Sequence, residues 1–305
     1  ETQDVSSPAV FGNVIDIYDI EQSIADESTV KIYYESRLAK IHLKPEEKEK
    51  LDDEVEAITE GTETTASEKA KAKWTQLEAV VGHSERIKIV AADMLSHFEQ
   101  RQEVFDGKAM IVCMSRRIAV EIYDEIRKLR PYWHDTDKRK GTIKVVMTSC
   151  SSDPESWQVH STTKQDRKEI AERFKDPSDP LKIVVVCDMW LTGFDVPCLH
   201  TMYVDKPMRG HNLMQAIARV NRIFRDKPGG LIVDYIGIAS DLKNALATYT
   251  QSGGKGSPTL DQEQAVAVML EKHEIVCNMF GSFDFKRFFE ADMQQKLTVI
   301  LEAQE

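Results

Sequence analysis

The chain has 305 residues, enough for one large domain or two smaller ones, and a formal net charge of −11. That acidity argues against a uniformly basic nucleic-acid binder, but it is concentrated. Residues 1–70 hold 7 Lys and Arg against 18 Asp and Glu, while the remainder is balanced at 33 of each, so a local basic face stays compatible with the rest of the chain. No apolar run approaches the ~18 residues that a membrane span needs. The five cysteines, Cys113, Cys150, Cys187, Cys198 and Cys277, form no C-x2-C pair. They argue against zinc and read as reduced thiols of a cytoplasmic protein. The opening ETQDVSS has neither Met nor a signal peptide, as expected of a piece of a longer protein.

Residues 1–28 are acidic and read as an entry linker. Thr29 to Tyr34 (TVKIYY) is rich in β-branched and aromatic residues and predicts a strand. Residues 44–105 are dominated by charge and helical spacing, interrupted by the flexible GTETTAS at 61–67. They read as a solvated helical insertion, even though Ile87, Val90, Ala91, Met94, Leu95 and Phe98 form one stripe. Beyond it the pattern changes. Strands are predicted at Lys108–Met114, Ile143–Met147, Lys182–Cys187, Leu199–Val204 and Leu231–Asp234, and helices at Arg117–Leu129, Gln165–Lys175, Leu213–Arg222 and Ile238–Tyr249. Residues 149–164 read as a long mobile loop, 251–257 as a linker, and 260–279 and 289–301 as helices. Short apolar runs alternating with amphipathic helices predict an α/β fold, with about six parallel strands covered on both faces.

The stretch LMQAIARVNR at Leu213–Arg222 has two opposed sides at ~100° per residue. Leu213, Ile217, Val220 and Phe224 face one way, toward a sheet; Gln215, Arg219 and Arg222 face the other. Guanidinium forks in register suit a polyanion, because they match phosphate oxygens two at a time. The same pattern also describes a solvated helix face whose arginines favour the C-terminal end of the dipole.

In parallel α/β sheets ligands gather beyond the strand C-termini. Four clusters are predicted there: Ser115, Arg116 and Arg117; Thr148 and Ser149; Asp188–Pro197, with Thr192, Gly193 and Asp195; and Asp205–Pro207. Each alone also reads as turn or cap chemistry. Together they offer hydroxyls, helix-start N–H groups and cations suited to sugar–phosphate contacts. No G-x4-G-K-[ST] loop and no strand-terminal Asp-Glu pair is present, so the chain is not expected to cradle a nucleoside triphosphate with Mg2+ unaided. Its role with ATP would be to lend arginines across a cleft.

The wording of KAMIVCMSRRIAVEIYDEI, KVVMTS, FKDPSDPLKIVVVCDMWLTGFDVPCLHTMYVDKPMRGHNLMQAIARVNR and GGLIVDYIGIA resembles the motor (R) subunit of type I restriction endonucleases, superfamily 2 translocases. The resemblance implies a second RecA-like motor domain at 29–250 carrying the helical insertion at 44–105. Residues 1–28 would lead in from a first motor domain, and 251–305 would begin a C-terminal helical region. KAMIVCMSRR is similar to motif IV, Thr192, Gly193, Phe194 and Asp195 to motif V, and Gln215, Arg219 and Arg222 to motif VI. Arg222 or Arg219 is then the expected arginine finger. Gly193 and Asp195 join the two arginines toward ATP, and Ser115, Arg116, Thr148, Ser149 and Thr192 fall toward DNA. Implied partners are double-stranded DNA, the methyltransferase and specificity subunits, and the first motor domain of the same chain. ATP and Mg2+ would bind mainly on that first domain, and the piece alone would be inactive. Two other readings are a superfamily 2 RNA-helicase half-motor and a non-catalytic module docking on partner proteins through its helices.

Overall fold

A computed structural model describes residues 26–37, 77–151 and 153–238 without a break, together with 23–24, 74–75, 242, 259–261, 266, 269, 273, 283–285, 287–290 and 293–303. The chain divides into two compact units, residues 1–259 and 260–305.

The first unit is a RecA-like α/β domain. Its strands are β1 (Lys31–Ser36), β2 (Lys108–Cys113), β3 (Ile143–Val145), β4 (Ile183–Val186), β5 (Leu199–Asp205) and β6 (Gly229–Asp234). They pair in parallel in the order β3-β4-β2-β5-β6-β1. A short β7, Thr259–Asp261, lies at the boundary between the units, where the helix predicted from residue 260 was expected to begin. The helices are α1 (Ser84–Val104), α2 (Arg116–Leu129), α3 (Lys164–Lys175) and α4 (Gly210–Val220). In the second unit α5 (Arg287–Glu290) and α6 (Met293–Glu302) occupy the predicted C-terminal helical stretch.

Strands β2, β4, β5 and β6 are buried at every residue, and their β-branched and apolar runs supply two cores at once. Met110, Val112, Val184, Val186, Met202 and Val204 pack on one side with Ile170 and Phe174 of α3 and Leu213 and Ile217 of α4. Ala109, Ile111, Ile183, Val185 and Tyr203 pack on the other with Val90, Met94 and Phe98 of α1 and Ile118 and Ile122 of α2. The period-2 alternation thus divides each strand between two helical layers, as a sheet covered on both faces requires.

Three expectations change. The stretch at 84–104 is not a solvated helix. It is a 21-residue helix that buries eight side chains against the sheet, because the apolar stripe from Ile87 to Phe98 outweighs the charges around it. Within 149–164 the chain forms a 3-10 helix at Glu155–His160 and a bridge from Met147 to Ser161, with His160 and Thr162 buried, instead of a loop lacking structure of its own. And α4 begins three residues early and ends at Val220, so Arg222 lies beyond the cap residue Asn221. The predictions at 1–22, 44–73 and 251–257 lie outside the described residues, as does most of 239–249. Among the described residues no helix is long and apolar enough to cross a membrane, and all four described cysteines are free thiols.

Candidate functional site

Because β4, β2 and β5 are neighbours and parallel, the segments that leave their C-terminal ends emerge side by side. The segment 188–197 after β4 and the turn 206–209 after β5 line a cleft of about 800 Å³, with Trp74, Asp188, Thr192, Lys206, Arg209 and Gln215 in its walls. Lys206 is 9% exposed; its ammonium donates to the Asp188 carboxylate and, at 3.4 Å, to the Cys187 carbonyl. Asp188 is therefore an ion-pair partner at the rim.

The 188–197 segment is shaped by an aromatic stack. Trp190 lies between Phe174 and Phe194, with ring centroids 6.2 and 4.3 Å away and planes within 19° of parallel. It does so with φ at +67°, a left-handed conformation costing on the order of 1 kcal/mol for a residue with a side chain. Gly193 has φ +65° with open space where a Cβ would stand, so its glycine answers backbone conformation and not crowding. Trp190 and Lys206 both fall inside clusters predicted from the sequence, 188–197 and 205–207, but nothing in the sequence marked the stack or the ion pair that they form.

The stack fixes Phe194, whose carbonyl accepts the Arg219 guanidinium at 2.5 Å. Arg219 also donates to the Gln215 carbonyl at 3.1 Å and is half-buried. Burial, together with the adjacent charge of Arg222, lowers its pKa from the usual guanidinium value. Arg222 stands differently. Its side chain is 45% exposed and its Nε is 3.4 Å from Asp195, itself 63% exposed. Gln215 contacts His211 one turn earlier at 2.5 Å. Gln215 and Arg219 share a face of α4 as expected, whereas Arg222 extends that line from the residues after the helix.

Helix α4 runs back antiparallel to β5, so these residues form a strip and not a point. Thr192, Lys206 and Gln215 line the cleft at the strand C-termini. Arg219 stands four residues, about 6 Å, farther along the helix axis than Gln215, and Arg222 follows the helix end with Asp195 beside it. The remaining predicted residues stay at the C-terminal edge. Ser115 caps α2 by accepting from the Ile118 N–H at 3.4 Å. Arg116 is held by Asp153 through two bonds of 2.8 Å and by the Thr148 carbonyl at 3.1 Å. Thr148 and Ser149 are exposed. Arg117 pairs with Glu121 and the Gly82 carbonyl. Among the described residues no cluster of His, Cys, Asp and Glu could hold a metal ion.

The fold and the strip along its fourth helix define a RecA-like α/β domain. Family models match three stretches: type I restriction enzyme subunit R domain 3 over residues 91–237, SWI2/SNF2 ATPase over 1–70, and a type I restriction enzyme HindI endonuclease subunit-like C-terminal region over 252–305. The chain is 42% identical, over 98% of its length, to the type I restriction enzyme HindI endonuclease subunit of Haemophilus influenzae, covering 28% of that protein. It is 43% identical over 93% of its length to a protein of Methanocaldococcus jannaschii named as type I restriction enzyme MjaIXP endonuclease subunit, covering 26% of it. A fragment structure of a type I restriction enzyme subunit from Vibrio vulnificus aligns over 83% of this chain and 40% of that one, at 16% identity and a TM-score of 0.47. The chain belongs to the R-subunit family of type I restriction enzymes, and spans about a quarter of the length of the curated relatives it matches.

Proposed function

We propose that this chain is the second motor domain of an ATP-driven DNA translocase within a type I restriction enzyme. Its part in turnover is to lend Arg222, with Arg219 behind it, to a nucleotide held by another domain. The observation that carries this role is the contrast between the two guanidinium groups. Arg219 is folded onto the Phe194 and Gln215 carbonyls, whereas Arg222 is exposed and only loosely balanced by Asp195. An exposed cation with one weak partner can exchange it for a phosphate oxygen at little cost, since a surface ion pair is worth on the order of 0–1 kcal/mol.

The residues present fit a triphosphate approached from one side only. Arg222 would meet the transferring phosphoryl group, Arg219 would hold the Phe194 turn and support Arg222, and Gln215 and Gly193 would line the approach. Bound ATP with Mg2+ supplies the phosphoryl group whose charge the arginine stabilises, an effect worth about 10³–10⁵ in rate. The phosphate loop, the magnesium ligands and the nuclease are assigned to other parts of the subunit. At the C-terminal edge Ser115, Arg116, Thr148, Ser149 and Thr192 would face the backbone of double-stranded DNA, and the methyltransferase and specificity subunits would complete the assembly. Alone, the chain is expected to hydrolyse no ATP.

The test is ATP turnover and DNA binding by the complete subunit carrying Arg222→Ala. Turnover is expected to fall at least 10³-fold with DNA affinity retained. Turnover at the native rate in that variant removes the assignment.

A further inference from the structure

The C-terminal end of α4 is tied down with unusual thoroughness. The helix finishes at Val220, and Arg222 follows two residues later. Lys227, in the segment that leads to β6, is 5% exposed. Its ammonium donates to the Val220 carbonyl at 2.6 Å, to the Leu199 carbonyl at 2.6 Å and to the Pro197 carbonyl at 3.4 Å. Leu199 opens β5, so one side chain bolts the end of the helix to the beginning of a central strand. Two further restraints meet the same spot. The Val30 N–H, just ahead of β1, donates to the Asn221 carbonyl at 2.9 Å. Gly230 of β6 packs so closely that an added Cβ would stand 2.4 Å from the Val220 oxygen.

Burying a cation is unfavourable, and burial pulls this one down to a pKa of about 7. A methionine of equal length would avoid that penalty, so the ammonium is explained by the carbonyls it gathers. Val220 would otherwise present one of the unsatisfied carbonyls of a helix end, at the negative end of the dipole.

We infer that Lys227 is a positioning residue for Arg222: it fixes the end of α4 against β5, and so fixes the direction in which the chain leaves the helix and presents that guanidinium. This rests on the role proposed for Arg222. The clamp matters to a motor because an arginine that acts only in the transition state must already point where charge will develop. A displacement of about 1 Å in a catalytic group can lower a rate by roughly 10²-fold.

The experiment measures steady-state ATP hydrolysis by the complete subunit, with DNA saturating, for Lys227→Met, Gly230→Ala, Arg222→Lys, Arg222→Ala and the Lys227→Met/Arg222→Lys pair. Lys227→Met is expected to lower kcat about 10- to 100-fold, with KM for ATP and DNA affinity within about twofold. Gly230→Ala strains the same carbonyl from the opposite side while keeping the ammonium. It should act in the same direction, and it decides the matter if Lys227→Met does not fold. In the Arg222→Lys background Lys227→Met should add little, since both changes act through one guanidinium. If Arg222→Ala abolishes turnover while both clamp variants fold and keep the native kcat, the positioning role is overturned and the Arg222 assignment stands. Full multiplication of the two losses in the paired variant also overturns it, because that is the behaviour of a merely structural lysine. Native turnover in Arg222→Ala removes both.

Discussion

Arg86, in the first turn of α1, places two guanidinium nitrogens on the Asp205 carboxylate at 2.6 and 3.1 Å, with both side chains at most 6% exposed. The same two nitrogens also donate to the Val81 and Tyr235 carbonyls at 2.9 and 3.0 Å. Burial pushes the Asp205 carboxyl up from the usual carboxylate range, and Arg86 opposes that shift. Removing the arginine alone therefore leaves a buried carboxylate without a counter-charge. Arg86→Met is expected to lower unfolding free energy by about 3–5 kcal/mol in urea denaturation. The Arg86→Met/Asp205→Leu pair should recover most of that loss, since an apolar pair of similar volume carries no desolvation penalty. Equal destabilisation of the single and paired variants would count against this account.

A second buried chain of polar groups predicts a pH dependence. The Arg101 Nε donates to the Thr201 hydroxyl at 3.1 Å, and the hydroxyl lies 2.7 Å from His200 Nδ1. The other ring nitrogen faces the Phe105 carbonyl at 3.4 Å. This assigns a neutral imidazole with the proton on Nε2, accepting from Thr201 and donating to Phe105. Burial lowers the His200 pKa from 6.5 to about 3, with Arg101 adding to the effect. Because the folded value lies below the unfolded one, the unfolded chain binds the extra proton between them. The stability this neutral ring supports is present above about pH 6.5 and is lost as pH falls toward 3, on the order of 5 kcal/mol over the full range. The thermal midpoint of the chain should fall on acidification from pH 7 to pH 4.5, and His200→Gln should reduce the slope. Gly107 closes the pocket over the ring, with an added Cβ 2.1 Å from His200 Cδ2, so Gly107→Ala should destabilise at every pH. A slope unchanged in His200→Gln would assign the acid sensitivity elsewhere.

The strands were legible because runs such as IVVV and KAMIVC have one physical use, the interior of a sheet buried on both faces. The aromatic and aliphatic side of α4 was legible for the same reason. What escaped is what depends on partners distant in sequence. The charges of α1 pointed to a solvated helix, yet Arg86 and His97 are buried because Asp205 and Tyr203, more than 100 residues on, receive them. Arg116 appeared free because its partner, Asp153, lies 37 residues away in a stretch that composition suggested had no structure of its own. Arg222 was placed on the helix because periodicity carries no signal for where a helix stops; Asn221 caps α4 without glycine or proline to announce it. Lys227 had no motif at all, since its role consists of backbone carbonyls that any residue would supply.

The Arg116–Asp153 pair yields the last expectation, which concerns the C-terminal edge. Asp153 holds Arg116 through two bonds of 2.8 Å and also accepts the Cys150 N–H at 2.7 Å, so one carboxylate both neutralises the arginine and shapes the turn after Thr148 and Ser149. If Arg116 meets a DNA phosphate, as proposed, it must exchange Asp153 for that phosphate, and the exchange weakens binding. Asp153→Ala in the complete subunit should therefore raise non-specific affinity for duplex DNA. It should also steepen the dependence of log affinity on log salt by about one unit, the signature of one more phosphate contact. Changing the turn could raise affinity without Arg116, and the Asp153→Ala/Arg116→Ala pair separates the two causes. Loss of the gain in the pair assigns it to the guanidinium. A gain that survives without Arg116, or a salt slope identical to the native one, would place the DNA contacts of this edge on other residues.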